Sequence, residues 1–261
     1  MCAIRFALRF VLMAGLLLCY APIYLMVWKL RGRMPMGIAV SWCRQICRVL
    51  GLRIQVSGSP TGAGRTLFVC NHVSYLDIVV LAALLDARFV SKDDVRHWPV
   101  VGRLAAWRGT YFIDRRSLRR SAALSLSLRA ALQRFNLILF PEGTTSNGEA
   151  VLRFKSTLFN AVMDESGQRL AVQPISLCYA RDRQGRLLNG PRADEYAWYR
   201  DMTLAPHFAG VLCRPGAVVT VRFHQVIAPG VYTDRKALAH ASEQAIRQGV
   251  AASWAERTVD G

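Results

Sequence analysis

The chain opens with a single apolar block. Residues 10 to 28, FVLMAGLLLCYAPIYLMVW, carry no charge, and Arg5, Arg9, Lys29, Arg31 and Arg33 flank them. A spanning helix needs roughly 20 apolar residues, so the run stands at the lower limit for crossing a bilayer. Pro22 is expected to kink or break a helix near its middle. Basic residues on both sides give little orientation bias. The run is longer than a signal-peptide core, and no small-residue cleavage site follows it cleanly. Residues 37 to 51, GIAVSWCRQICRVLG, interleave Ile38, Val40, Trp42, Ile46, Val49 and Leu50 with Arg44 and Arg48. That pattern suits an amphipathic helix lying in an interface. A single span and a two-helix hairpin dipping into one leaflet both remain open. Either way, residues 1–52 read as a membrane-associating two-helix segment.

From residue 53 the pattern changes to short apolar runs separated by helical stretches. RIQVSG and TLFVCN read as strands joined by the turn SPTGAG, and IVVLAALLD continues as an apolar helix. Further short runs follow at RFVSK, GTYFIDR, LILFPEG, AVQPISLCYA and VVTVRFHQVI. The Leu- and Ala-rich stretch from 117 to 136 has the length of a helix. A last helix is expected from Asp234, a candidate cap, to about Glu256. Such alternation predicts an α/β domain over residues 53–261, with a central mixed sheet flanked by helices.

Composition refines this picture in two places. Lys and Arg number 34 against 17 Asp and Glu, so the formal net charge of +17 calls for an anionic partner. The apolar N-terminus favours an anionic membrane surface, and no readable helix or aromatic platform points to nucleic acid. The basic cluster between Arg88 and Arg120 adds to that attraction, each residue near the lipid by roughly 1 kcal/mol. The seven cysteines are odd in number and several lie inside apolar runs, so reduced, structural thiols on the cytosolic side are expected. Cys43 and Cys47 lack a second pair to complete a zinc site, and no metal is expected. His97, His207, His224 and His240 are scattered and read as ordinary.

The candidate chemistry begins at NHVSYLD, residues 71 to 77, where a strand gives way to a helix. Ser74 and Asp77 fit a capping-box spacing. His72 fits a general base, provided a carboxylate such as Asp77 fixes its ring by accepting from the other nitrogen. One carboxylate is not expected to serve the cap and the imidazole fully at once. No G-x-S-x-G elbow is present, so the hydroxyl to be activated is assigned to a substrate. GTYFIDR places Arg115 where it can fork onto an anion. LFPEGTTSNG leaves a strand through Pro141 into a polar loop whose N–H groups near Gly143 could bind one.

In this order the blocks resemble the glycerophospholipid acyltransferases. NHVSYLD matches N-H-x-S-x-x-D, GTYFIDR is similar to the second block, FPEGTTS to the third and VQPISL to the fourth, together spanning about residues 66 to 180. The resemblance implies the fold typified by glycerol-3-phosphate acyltransferase. It also implies acyl transfer to a lysolipid hydroxyl, with acyl-CoA or acyl-carrier protein as co-substrate and no cofactor. It makes His72 the general base, Asp77 its orienting partner, and Arg115, Glu142, Gly143 and Thr144 the acceptor-binding set. Asn71, Ser74, Lys155 and Pro174 are further candidates. The N-terminal region is similar to the two-helix membrane motif of bacterial members, which implies the cytoplasmic face of a bacterial inner membrane. Thr145 stands where the family commonly has Arg, and Lys155 could supply a substitute charge. Lysophosphatidic acid is the expected acceptor. A lyso-ornithine lipid is the alternative, supported by the likeness of residues 195–208 and the EGTTSNG loop to lyso-ornithine lipid acyltransferases.

Overall fold

A computed structural model describes residues 2–31, 36–62, 64–98, 101–113, 121–164 and 167–256. The chain begins with the long helix α1 (Cys2–Arg31) and the helix α2 (Met36–Leu50). There follow β1 (Arg53–Ser57), β2 (Thr66–Cys70), α3 (Leu76–Leu84), β3 (Arg88–Lys92), α4 (Val101–Trp107) and β4 (Tyr111–Ile113). Next come α5 (Ser121–Arg134), β5 (Leu137–Leu139) and the small pair β6 (Met163–Asp164) and β7 (Gly167–Gln168). The chain closes with β8 (Ala171–Asp182), α6 (Leu204–Cys213), β9 (Ala217–Phe223) and α7 (Arg235–Ala255). Each strand expected from the apolar runs is present, as are the helices after the opening block, before β5 and at the C-terminus.

The main sheet among the described residues has the order β1-β9-β8-β2-β5-β3-β4. All neighbours run parallel except β8 and β9. All five residues of β2 are buried, because helices cover both faces of the sheet. On one face α2 and α3 pack Ile46, Leu50, Val80 and Leu81 against Phe68 and Ile175. On the other, α5, α7 and the turn Ser156–Val162 enclose Leu132, Phe159, Ile246 and Val250. Asp234 caps α7 as expected, its Oδ2 accepting from the N–H groups of Lys236 and Ala237.

The N-terminus departs from expectation in two respects. Helix α1 runs through Pro22 without a break. Contacts on both sides hold it in line: Tyr20 Oη meets Ser41 Oγ at 2.9 Å, and Tyr24 donates to Trp107 O while stacking on its ring. Second, the thiols are not all reduced, since Cys2 and Cys213 form a disulfide. The start of α1 docks on the end of α6, bringing the two Cα atoms to 4.7 Å.

Polar bonds secure this docking. Arg9, only 7% exposed, donates to the carbonyls of Val211, Leu212, Arg214 and Pro215, and Arg5 donates to Cys213 O. The residue expected as a basic flank therefore satisfies the terminal carbonyls of α6. Beyond the anchor, Leu8, Phe10, Val11, Leu18, Met26 and Leu30 stay exposed. The stretch Cys2–Val27 is long and apolar enough to cross a membrane. Arg9→Met should lower stability by about 1.5–3 kcal/mol, the usual worth of hydrogen bonds to a charged group. Thermal unfolding of the detergent-solubilised protein measures this, and an unchanged midpoint would remove Arg9 as the anchor.

Candidate active site

The site is built where β2 and β5 end side by side. Asn71 clamps the end of β2 to β8: its Nδ2 donates to Leu177 O and its Oδ1 accepts from Leu177 N, each at 2.8 Å. This pair extends the sheet by a side chain in place of a backbone rung, and it fixes where the next residue leaves.

That next residue is His72, whose Nδ1 lies 2.8 Å from Asp77 Oδ2. Asp77 is wholly buried. The same Oδ2 accepts from the backbone N–H of Val73 at 2.7 Å and of Ser74 at 2.9 Å. The expected competition between cap and imidazole is thus resolved in favour of both, because the turn curls all three donors around one oxygen. Ser74 contributes less than its spacing suggested, its Oγ accepting only from Leu76 N at 3.3 Å. The other carboxylate oxygen accepts from Tyr179 Oη at 2.9 Å. Asp77 accepts a hydrogen bond from His72 Nδ1–H, which leaves the Nε2 lone pair without a partner among the described residues. The imidazole side chain is 18% exposed and stacks on Phe140, with ring centroids 3.9 Å apart.

Glu142 lies beneath rather than in the opening. It is 3% exposed, and its Oε1 accepts from His72 N at 3.0 Å, while Oε2 is within full hydrogen-bond geometry of no group among the described residues. Burial pushes its carboxyl up to about 8, against the opposing pull of the backbone N–H groups of His72 and Leu152. Gly143, at φ 72°, turns the chain after it, and its N–H donates to Phe140 O rather than pointing at a ligand. The left-handed φ favours glycine here, and an added Cβ would displace the flexible end of Lys155, whose Nζ it would meet at 2.4 Å. Thr144 is exposed at the loop tip. The Lys155 ammonium therefore lies against the third block. Pro174 is buried within β8, paired with Val69 of β2. Arg115 lies outside the described residues.

Sequence reasoning missed two contributors. Tyr179 sits 102 residues from its partner Asp77 and carries no local signal. His207 read as ordinary, yet its Nε2 meets Asp194 O at 3.2 Å, so Nδ1 accepts from Tyr75 Oη at 3.0 Å. Trp198 N donates to Val73 O, and its ring lies edge-on to Tyr75. The segment 194–208 thereby braces the turn that carries His72. With Nδ1 bonded to Asp77, the arrangement leaves Nε2 able to take a proton from a hydroxyl.

Two outcomes follow. In the folded protein Glu142 keeps a proton that the unfolded chain releases near pH 4.5. Stability should therefore fall as pH rises from about 5 to 8, by at most about 1.4 kcal/mol per unit. Glu142→Gln, which keeps the acceptor for His72 N, should flatten that slope in denaturation at several pH values. Tyr179→Phe should cut kcat about tenfold and displace its pH profile, because Asp77 loses one of its donors. A variant with normal kcat and profile would leave Tyr179 a packing residue only.

Comparison with known proteins agrees with the fold and these blocks. The family profile Acyltransferase matches residues 53–177. A lyso-ornithine lipid O-acyltransferase of Brucella abortus is 34% identical, covering 94% of this chain and 93% of that protein. One from Rhodobacter capsulatus is 38% identical, covering 94% and 87%. A 1-acyl-sn-glycerol-3-phosphate acyltransferase of Neisseria meningitidis is 31% identical, covering 80% and 78%. The crystal structure of the 1-acyl-sn-glycerophosphate acyltransferase of Thermotoga maritima superposes with a TM-score of 0.70 at 21% identity. It covers 98% of this chain and 99% of that one, and so shares the fold. The chain belongs to the acyltransferase family, and it is an enzyme of the lysolipid type.

Proposed function

We propose that this protein transfers an acyl chain from a thioester, acyl-CoA or acyl-carrier protein, to the free hydroxyl of a lyso-ornithine lipid. The observation that carries the acceptor is the set of relatives of that activity matching 94% of the chain. Thr145, in place of the family's usual Arg, agrees with an acceptor that bears no phosphate. Lysophosphatidic acid is the second reading, favoured by the Neisseria relatives and by the Lys155 ammonium against Gly143.

In the proposed step His72 Nε2 takes the proton of the acceptor hydroxyl as its oxygen attacks the thioester carbonyl. Asp77 steadies the imidazolium that forms. The tetrahedral intermediate collapses by breaking the carbon–sulfur bond, and the departing sulfur takes the proton back from the imidazolium. An ester and a free thiol result. Arg115 and Thr144 are assigned to the acceptor, and Glu142 acts on it only through the backbone of His72. Location on the cytoplasmic face of the inner membrane of a bacterium belongs to the same proposal. The exposed apolar face of α1 and the positive charge of the chain support it, while the Cys2–Cys213 disulfide weighs toward an oxidising side.

Purified protein given labelled thioester donor and the two lysolipids side by side should acylate the lyso-ornithine lipid faster. Preference for lysophosphatidic acid would reverse the order, and product from neither acceptor would sink both. His72→Ala should lower kcat by about 10²- to 10⁴-fold with folding intact.

A further inference from the structure

Beside the His72 turn, three aromatic side chains that the acyl-transfer step does not use stand nearly at right angles. The Trp98 and Trp198 rings are 5.8 Å apart between centroids and inclined at 81°, and Trp198 and Tyr75 are 6.0 Å apart at 72°. None of the three is fully buried. Rings that meet this way leave a corner walled by two π faces, where an ammonium can sit within about 6 Å of each ring centre. Short links tie the corner to the active site. Trp198 N donates at 2.9 Å to the carbonyl of Val73, the residue after His72. Tyr75 belongs to the same turn, and His207 and Phe208 hold it from the other side.

The charge beside these rings is unusual for a chain with 34 basic residues against 17 acidic ones. Asp194, four residues before Trp198, accepts from Tyr199 Oη at 2.9 Å, and among the described residues it makes no ion pair. Its carbonyl meets His207 Nε2 at 3.2 Å, one side chain away from Tyr75. Neighbouring guanidinium groups are engaged elsewhere: Arg214 pairs with Glu195 at 3.6 Å, Arg96 with Asp93 at 3.3 Å, and Arg200 lies over the Tyr199 ring. Burial, and then Arg214, lower the pKa of His207, so this brace adds no positive charge at neutral pH. An uncompensated carboxylate next to open π faces suits a cation and repels a phosphate.

We propose that Tyr75, Trp98, Trp198 and Asp194 form the subsite for a primary ammonium on the acceptor headgroup, the side-chain ammonium of ornithine. The inference rests on the lyso-ornithine reading above and assigns recognition of that headgroup. Lysophosphatidic acid carries no cation and gains nothing there, so the corner discriminates between the two acceptors.

The test uses ligands that cannot react. Full-length protein in a neutral detergent is titrated calorimetrically with N-decanoyl-ornithine, which has the ammonium and no hydroxyl, and with the same compound acetylated on its side-chain amine. The charged ligand should bind about fivefold or more tightly than the acetylated one. Trp98→Leu and Asp194→Asn, the latter keeping an acceptor for Tyr199, should each shrink that ratio severalfold and leave binding of the acetylated ligand as it was. Trp98→Phe should fall between Trp98→Leu and the unaltered protein. In steady-state assays the variants should raise KM for the lyso-ornithine lipid by a like factor and change kcat less. An ammonium preference that these substitutions erase, in a protein that acylates only lysophosphatidic acid, would support the subsite and count against the acceptor reading. Equal binding of the two ligands, a preference that survives both substitutions, or an equal loss of both ligands in the variants would each overturn the proposal.

Discussion

One carboxylate organises the site. Asp77 is removed from water at the head of α3, where an ionised group is tolerable only if donors surround it. It has four: the imidazole, two backbone N–H groups of the turn and the hydroxyl of Tyr179. Those donors come from the exit of β2, from the turn itself and from β8. The carboxylate therefore ties a strand end, a helix start and a neighbouring strand to one point. Any displacement of one of them unpairs a buried charge, so the His72 ring direction is fixed by electrostatics as much as by packing.

The third block supports the same point from below. Glu142 receives the backbone of His72, Phe140 covers its ring, and Ser146 N donates to His72 O. A loop that reads as a ligand-binding device thus spends most of its polar groups on holding the first block in place. Its outward-facing elements are Thr144 and the Lys155 ammonium. Division of labour within the block follows from burial: what faces inward positions His72, and what faces outward is open to solvent.

Much of this is legible in the sequence. The strands stand out because a sheet covered on both faces needs continuous apolar runs, and TLFVC and LIL are such runs. His72 and Asp77 were legible because the spacing between them is local. The contributors that escaped notice are distant ones: Tyr179 to Asp77, His207 to Tyr75 and Cys2 to Cys213, the last 211 residues apart. No periodicity marks such pairs, since they depend on how the sheet closes. Glu142 illustrates a different blindness. Its presence in a loop suggested exposure to ligand, and only the packed structure reveals that it is buried.

Helix α6 touches two things at its two ends. At Cys213 and the carbonyls beyond it, it is bolted to α1 by a disulfide and two arginines. Near its start, His207 meets Tyr75 in the turn that bears His72. In the proposed membrane-bound enzyme, with α1 seated in lipid, α6 would act as a strut between bilayer and imidazole. His72 Nε2 would then be held at one height above the membrane, and a lipid would be selected by where along its own length a hydroxyl occurs.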